Sequence, residues 1–206
     1  PLKNREPAVL WAVRNRIDAL VLPLEDKVSL LSGIAGTPRR NREKLLCMAK
    51  DYALAVEAGG WELSLLVPRK NFSFHRELFR MEGGRRVKDY NFCPTNPDTI
   101  AVIKQEAERR FRENPEATVF HLWPDRKQEL TWCSCPTCRA FTREEQNIIA
   151  VNTAAGVLAE IAPASRVSYY ENSAEPGSIL PRPNMFVLRN LPGEAGAGEE
   201  GLFLAE

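Results

Sequence analysis

The sequence predicts an α/β fold of the (β/α) TIM-barrel type, because strand-like and helix-like segments alternate along the chain. The lengths of the connections support this interpretation. Returns from helix to strand are short, whereas the strand-to-helix connections at residues 23–40, 68–96 and 123–142 are long. In a barrel, such loops all emerge at the carboxyl ends of the strands, where barrel enzymes hold their active sites. An open doubly wound sheet is the alternative fold, but no Gly-rich phosphate turn follows the first predicted strand.

Each element is placed by its hydrophobic spacing and by the residues that begin or end helices. The predicted strands span residues 19–22, 61–67, 117–122, 166–170 and 184–188. Helices are predicted after Pro7, around Leu45–Val56, from Asn96-Pro97 and from the capping box of Thr142 with Glu145. The Gly59-Gly60 pair is predicted to end the second of these helices.

Five strands are fewer than the eight of a complete barrel, which takes about 250 residues. We therefore expect residues 1–190 to form a partial barrel that is incomplete at both ends. The chain opens at Pro1 without a Met, so we expect its natural start to be missing. Residues 191–206 are rich in Gly and in small and acidic residues, which predicts a flexible or non-native tail. Unpaired sheet edges lead us to expect no hydrolysis from these 206 residues alone.

Charge and hydropathy narrow the range of partners. The chain has 28 basic and 27 acidic residues, a net charge of +1, whereas nucleic-acid surfaces usually show a basic excess. No apolar run approaches the roughly 20 residues of a membrane span. The sequence therefore predicts neither a nucleic-acid partner nor a membrane partner.

Three of the five cysteines lie within six residues, as Cys133, Cys135 and Cys138, and Cys93 lies late in the preceding long loop. The four thiols could form a closed, tetrahedral zinc site of the structural type that ties two loops together. A disulfide and buried free thiols are the alternatives. A catalytic thiol is less favoured, since no histidine lies near the cluster in sequence. Cys47, on a predicted helix, is interpreted as a core residue.

Two carboxylates follow neighbouring predicted strands, Asp125 after the third and Glu171 after the fourth. Neighbouring strands lie about 4.8 Å apart, so these side chains could reach the roughly 5–9 Å separations that glycosidases use. The alternative for each is a salt bridge with a loop arginine or a solvated position at the rim. Asp125 and Glu171 are the predicted catalytic residues.

The loop at residues 68–96 carries aromatic and basic side chains together, among them His75 and Arg86. Such a mixture suits stacking on a sugar ring and holding its hydroxyl or carboxylate groups. Loop aromatics also often form only a small core of their own. With Trp123 and Tyr170 at the ends of strands, His75 and Arg86 are the predicted substrate-binding residues.

An ordered set of motifs resembles a known bacterial family. Residues 74–79 with 84–86 are similar to an H-P-E-x-F…G-K-R segment, and residues 92–97 to a C-x-x-N-P segment. Pro124-Asp125 with residues 132–139 is similar to P-x-D…W-C-x-C-P-x-C-[KR], and Val151-Asn152 continues the order. This set resembles the family named domain of unknown function 4838, over roughly Trp11 to Leu188.

The resemblance implies a glycoside-hydrolase-like barrel that is akin to α-glucuronidases and is secreted or periplasmic. It adds weight to seven of the candidate residues, which are His75, Arg86, Cys93, Asp125, Cys133, Cys135 and Cys138. Arg76 departs from the family pattern, which has proline at that position, and this difference leaves the details of the substrate open.

The leading hypothesis is therefore a glycoside hydrolase that acts on an oligo- or polysaccharide by carboxylate acid/base chemistry. Two alternatives come from other classes of protein. One is a non-catalytic carbohydrate-binding barrel, and the other is a zinc-stabilised structural or interaction domain.

Overall fold

The computed structural model describes residues 8–24, 39–125, 132–171, 177–190 and 203–205. Its main sheet has six strands in the order β1-β2-β5-β6-β7-β8. The strands are β1 (Ala19–Leu22), β2 (Ala55–Gly60), β5 (Val119–Leu122), β6 (Arg166–Tyr170), β7 (Met185–Asn190) and β8 (Phe203–Ala205). A separate hairpin is formed by β3 (Met81–Glu82) and β4 (Arg85–Arg86).

In the main sheet, β1, β2, β5, β6 and β7 pair in parallel, and β8 joins the described sheet antiparallel to β7. The predicted α/β class with a parallel sheet is confirmed. Within the described residues, the sheet does not close into a barrel. Residues 191–202 and 206 of the predicted tail lie outside the described residues, whereas residues 203–205 form β8.

The described residues contain four α-helices beside the sheet: α1 (Ala8–Arg14), α2 (Arg39–Asp51), α3 (Pro97–Glu113) and α4 (Arg143–Ile161). The side chain of Asn96 caps α3 by accepting hydrogen bonds from the amides of Asp98 and Thr99. The capping box predicted for Thr142 and Glu145 is present at the start of α4. None of the described helices is both long and apolar enough to cross a membrane.

The second helix ends earlier than the sequence predicts. The amide of Leu54 donates to the carbonyl of Ala49 at 2.8 Å, and that of Ala53 donates to Lys50 at 3.1 Å. This is the Schellman arrangement, and the left-handed position that glycine usually takes is occupied by Ala53 at φ 53°. Because Ala53 takes the position at the end of α2, the sequence lacks the glycine that usually marks the end of a helix. The prediction that Gly59-Gly60 ends this helix is wrong.

The second strand is therefore Ala55–Gly60 and not Trp61–Val67. The predicted strand contains a short 3-10 helix instead, Leu63–Leu66, and its apolar pattern arises because Leu63, Leu66 and Val67 are buried in the core. Cys47 is exposed rather than buried, since the apolar face of α2 is set by other residues, among them the buried Ala49.

Gly59 allows β2 to approach β5 closely. It lies in the left-handed region at φ +111°, and a Cβ built there would lie 2.1 Å from the carbonyl oxygen of His121. No side chain fits in that space. The glycine pair therefore lies in a strand, where Gly59 is needed for close contact with the next strand.

The two faces of the sheet have different chemistry because side chains alternate along each strand. One face packs against α3 and α4 through buried apolar residues that include Ala58, Phe120 and Val167. The opposite face, called the inner face below, carries Glu57, His121 and Ser168 on three neighbouring strands. Polar side chains on this face distinguish it from the apolar core.

Candidate functional site

The four cysteines predicted to act together lie in one cluster. Cys93 lies in the loop before α3, while Cys133, Cys135 and Cys138 lie in the loop between β5 and α4. All four are buried, and their Sγ atoms lie within 4.8 Å of one another. The sulfur of Cys93 is 3.7 Å from that of Cys135 and 3.6 Å from that of Cys138.

These separations fit a metal better than a disulfide. A tetrahedral site with metal–sulfur distances of about 2.3 Å has sulfur–sulfur edges of about 3.8 Å. A disulfide would bring two sulfurs to about 2.05 Å, and all four cysteines are free thiols. The cluster of Cys93, Cys133, Cys135 and Cys138 could therefore bind a metal ion.

Hydrogen-bond donors surround the sulfurs. The amides of Met81 and Cys135 point at the sulfur of Cys133 at 3.3 and 3.5 Å, and the amide of Cys138 points at Cys135 at 3.5 Å. The guanidinium of Arg86 lies 3.7 Å from the sulfur of Cys133. Donors in these positions stabilise thiolates, which are the form that binds metal.

The thiols also influence one another. Contacts with Cys133 and Cys138 lower the pKa of Cys93, while contacts with Cys133 and Cys93 raise the pKa of Cys138. The first thiolate to form therefore opposes ionisation of its neighbours. A bound cation would remove this opposition and allow all four sulfurs to ionise.

A second cluster, of aromatic rings, lies at the carboxyl edge of the sheet. Trp61 directly follows β2, Trp123 directly follows β5 and Tyr170 ends β6. The ring centroids of Trp61 lie 5.4 Å from Trp123 and 4.9 Å from Tyr170, and the last two are 6.5 Å apart. These three residues are called the aromatic cluster below.

A polar network lies beside the aromatic cluster on the inner face. Nδ1 of His121 is 2.6 Å from Oγ of Ser168, and Nε2 of His121 is 2.8 Å from a carboxylate oxygen of Glu57. The indole N–H of Trp123 donates to Oγ of Ser168 at 3.0 Å. The network of Glu57, His121 and Ser168, called the inner-face network, is thus joined directly to the aromatic cluster.

Asp125 lies two residues beyond Trp123 and is partly buried. Its carboxylate accepts a hydrogen bond from the Ser64 hydroxyl at 3.2 Å and lies 3.7 Å from the guanidinium of Arg69. Desolvation by burial raises the pKa of Asp125, against the opposing effects of Arg69 and Ser64. A raised pKa favours the protonated acid, the form that can donate a proton.

Glu171 directly follows β6 and is buried. Its carboxylate forms an ion pair with Arg189 of β7 at 2.9 Å. In the described residues, no direct hydrogen bond or ion pair joins Glu171 to Asp125. Each carboxylate therefore has its own arginine partner.

The remaining predicted residues lie elsewhere. His75 is exposed and contacts Glu77 at 3.2 Å. Arg86 donates to the carbonyl of Phe79 at 2.6 Å and approaches Cys133, so it belongs to the surroundings of the cysteine cluster. The structure brings together the four predicted cysteines with Arg86 beside them, and Trp123 with Tyr170.

Sequence reasoning did not find Glu57, Trp61 or Ser168. Glu57 precedes the Gly59-Gly60 pair that is predicted to end the second helix, and Trp61 is the first residue of the predicted second strand. Had the strand been set at residues 55–60, its alternation would have placed Glu57 on one face with Ala58 on the other. Ser168 carries a weak signal, as a small polar residue in an apolar strand.

The fold and these clusters define an α/β domain with a mainly parallel sheet, long loops at the carboxyl edge of that sheet and a buried four-cysteine cluster that could bind a metal. Residues 47–188 match the family described as Domain of unknown function (DUF4838). The chain belongs to this family.

Solved structures with a similar course of the chain include two glycoside hydrolases. One is a pneumococcal exo-β-D-N-acetylglucosaminidase with tandem GH20 catalytic modules, at 9% identity and a TM-score of 0.49 over 76% of this chain and 40% of that chain. The other is a GH42 β-galactosidase, at 11% identity and a TM-score of 0.46 over 94% of this chain and 39% of that chain. This chain spans about two fifths of their length. No curated protein sequence matches it.

Proposed function

We propose that this domain binds a carbohydrate chain at the carboxyl edge of its sheet and hydrolyses a glycosidic bond there. The observation that carries this proposal is the aromatic cluster, which has a carboxylate close beyond two of its members. Asp125 follows Trp123 by two residues, and Glu171 follows Tyr170 directly. Aromatic rings and a few polar groups at the ends of barrel strands are the usual parts of a sugar site.

The aromatic cluster would provide the binding energy. The three rings are rigid, and Trp61 and Trp123 are only partly buried. Flat apolar faces of this kind stack on the C–H faces of a sugar ring.

The two carboxylates are suited to different roles. Burial keeps Asp125 closer to its protonated form, so it would act as the general acid that protonates the leaving oxygen. Glu171, which pairs with Arg189, would act as the base or nucleophile. Glycosidases use such a pair of carboxyl groups with unlike protonation states.

The test measures hydrolysis by the natural protein that carries this chain, with aryl glycosides and aryl uronides as substrates. We expect Asp125→Asn and Glu171→Gln each to lower kcat/KM by about 100-fold or more. Because the pKa of Asp125 is raised, activity should fall at high pH as this acid loses its proton, and Asp125→Asn should abolish that limb. Full activity in both variants would refute the assignment.

A non-catalytic carbohydrate-binding domain is the second candidate. It is favoured by the arginine partners of both carboxylates, since Arg69 and Arg189 could hold Asp125 and Glu171 in purely structural ion pairs. In this case both variants would bind sugar normally, and the wild-type protein would hydrolyse none of the substrates.

We propose in addition that the cysteine cluster holds a structural zinc ion. The sulfur separations, the amide donors and the complete set of four protein ligands all support a closed site. With Cys93 in one long loop and three ligands in another, the ion would fix the two loops to each other. Elemental analysis should find one zinc per chain, and its absence from protein with four reduced thiols would refute the proposal.

A further inference from the structure

We infer that the inner-face network selects the ligand of the proposed sugar site: it accepts hydrogen bonds from hydroxyl or ammonium groups and disfavours carboxylates. The sugar bound there would then be neutral or amino-substituted and not a uronic acid. This inference rests on the proposed function and adds a substrate class to it.

The direction of the hydrogen bonds follows from which atoms can donate. The indole N–H of Trp123 can only donate, so Ser168 Oγ accepts from it at 3.0 Å. Because Ser168 Oγ already accepts from Trp123, we assign its own proton to the contact with Nδ1 of His121 at 2.6 Å. A neutral imidazole that accepts at Nδ1 carries its proton on Nε2 and donates it to Glu57 at 2.8 Å. This tautomer is assigned from the network of partners.

Every donor in this chain of hydrogen bonds is used within the protein. Ser168 is fully buried and His121 is 6% exposed, whereas the Glu57 side chain is 22% exposed. The open lone pairs of the Glu57 carboxylate are therefore what the network offers to a ligand. A group that binds there has to donate hydrogen bonds, as hydroxyl and ammonium groups do.

Charge leads to the same conclusion. Asp125 is paired with Arg69, and Glu171 with Arg189. In the part of the chain that the structure describes, the ion-pair partner of Glu57 is His121 and not an arginine. A ligand carboxylate beside Glu57 would lie close to a second carboxylate, and the two like charges would repel.

The Glu57 side chain is partly exposed on the inner face, next to His121. Two residues further along the same strand is Gly59, which has no side chain to cover it. The ring of His121 lies 5.1 Å from that of Trp123, so the network borders the aromatic cluster. Val21, the partner of Glu57 on β1, is 48% exposed and adds an apolar surface beside the carboxylate.

The test compares matched 4-nitrophenyl glucoside and 4-nitrophenyl glucuronide, which differ only in the group at C6, together with the glucosaminide. Dissociation constants are measured calorimetrically with the natural protein. We expect the glucoside and the glucosaminide to bind about 10-fold tighter than the glucuronide, and Glu57→Gln to reduce this preference by about 10-fold. Glu108→Gln, on the exposed side of α3, is the control and should leave the preference unchanged.

Glu57→Asp keeps the charge and should keep the preference while weakening all three affinities. This variant provides a second test in case Glu57→Gln misfolds. Tighter binding of the glucuronide, or an unchanged preference in folded Glu57→Gln, would overturn the inference. Trp123→Ala separates the two proposals: if it abolishes binding while Glu57→Gln leaves the preference unchanged, the sugar site stands and the inference fails. If the natural protein neither binds nor hydrolyses any of the three compounds, both fail.

Discussion

The cysteine cluster and the inner face show two ways of joining side chains that are distant in sequence. In the cluster, all four sulfurs are buried and point at one another. On the inner face, the network ends in a carboxylate that is partly exposed beside partly buried aromatic rings. The first arrangement is complete within the protein once a metal is added, whereas the second retains unused acceptors.

The comparison separates stability from binding. A closed site holds loops in place and offers nothing to a substrate, as in structural zinc sites with four protein ligands. An open network presents groups whose partners have to come from outside. Arg86 illustrates the first case, because its guanidinium contacts Phe79 and Cys133 within the protein.

The largest effect is expected from breaking the closed site. Cys138→Ser should abolish stoichiometric zinc binding and lower the free energy of unfolding by roughly 3–5 kcal/mol, because three ligands cannot form the closed site. Thermal unfolding would then shift by about 10 °C. The matched control is Cys47→Ser, which changes an exposed thiol of α2 and should alter neither quantity. Equal effects of the two substitutions would contradict a metal site.

A smaller loss is expected from the strand that carries the open network. Gly59→Ala should destabilise the protein by roughly 3–4 kcal/mol, since its Cβ would collide with the carbonyl of His121. Gly60 has a similar left-handed backbone at φ +140° but open space around it, so Gly60→Ala should cost only about 1–2 kcal/mol. Urea unfolding of both variants isolates the contribution of the close approach. Equal losses would show that backbone conformation alone requires these glycines.

The smallest effect is expected at the end of α2, which sets where β2 begins. Ala53→Gly should stabilise the protein by about 0.5–1 kcal/mol, because glycine removes the cost of the left-handed conformation. Ala101→Gly, at an exposed position within α3, should instead destabilise by about 1 kcal/mol. Opposite signs in urea unfolding would confirm the Schellman end of α2, and a loss in both variants would argue against it.

The sequence predicted the elements whose signals are local. Asn96-Pro97 and the capping box of Thr142 with Glu145 begin helices because their side chains accept hydrogen bonds from the next few amides. The spacing of the cysteines also identified a cluster without knowledge of the fold. In these cases the side chains that make the helix start or the cysteine cluster are the same residues that carry the pattern in the sequence.

The sequence did not predict features that depend on contacts between distant segments. Ala53 ends a helix without the usual glycine, and Gly59 is required by the backbone of another strand. Because of these two residues, the predicted second strand lies about one strand length after the observed one, and Glu57 is not recognised as a strand residue. The network of Glu57 with His121 and Ser168 joins three strands, so no single segment of sequence contains its pattern.

The separation of the cysteines along the chain has a consequence for the order of folding. Three ligands lie within one short loop, while Cys93 and Cys135 are 42 residues apart. Closing a flexible loop of that length costs about 3 kcal/mol of chain entropy. We therefore expect the local trio to capture the ion first, and Cys93 to join only when α3 and β5 have packed. The fourth metal–sulfur bond would then form only after this part of the fold has packed, so complete coordination of the ion would depend on correct assembly.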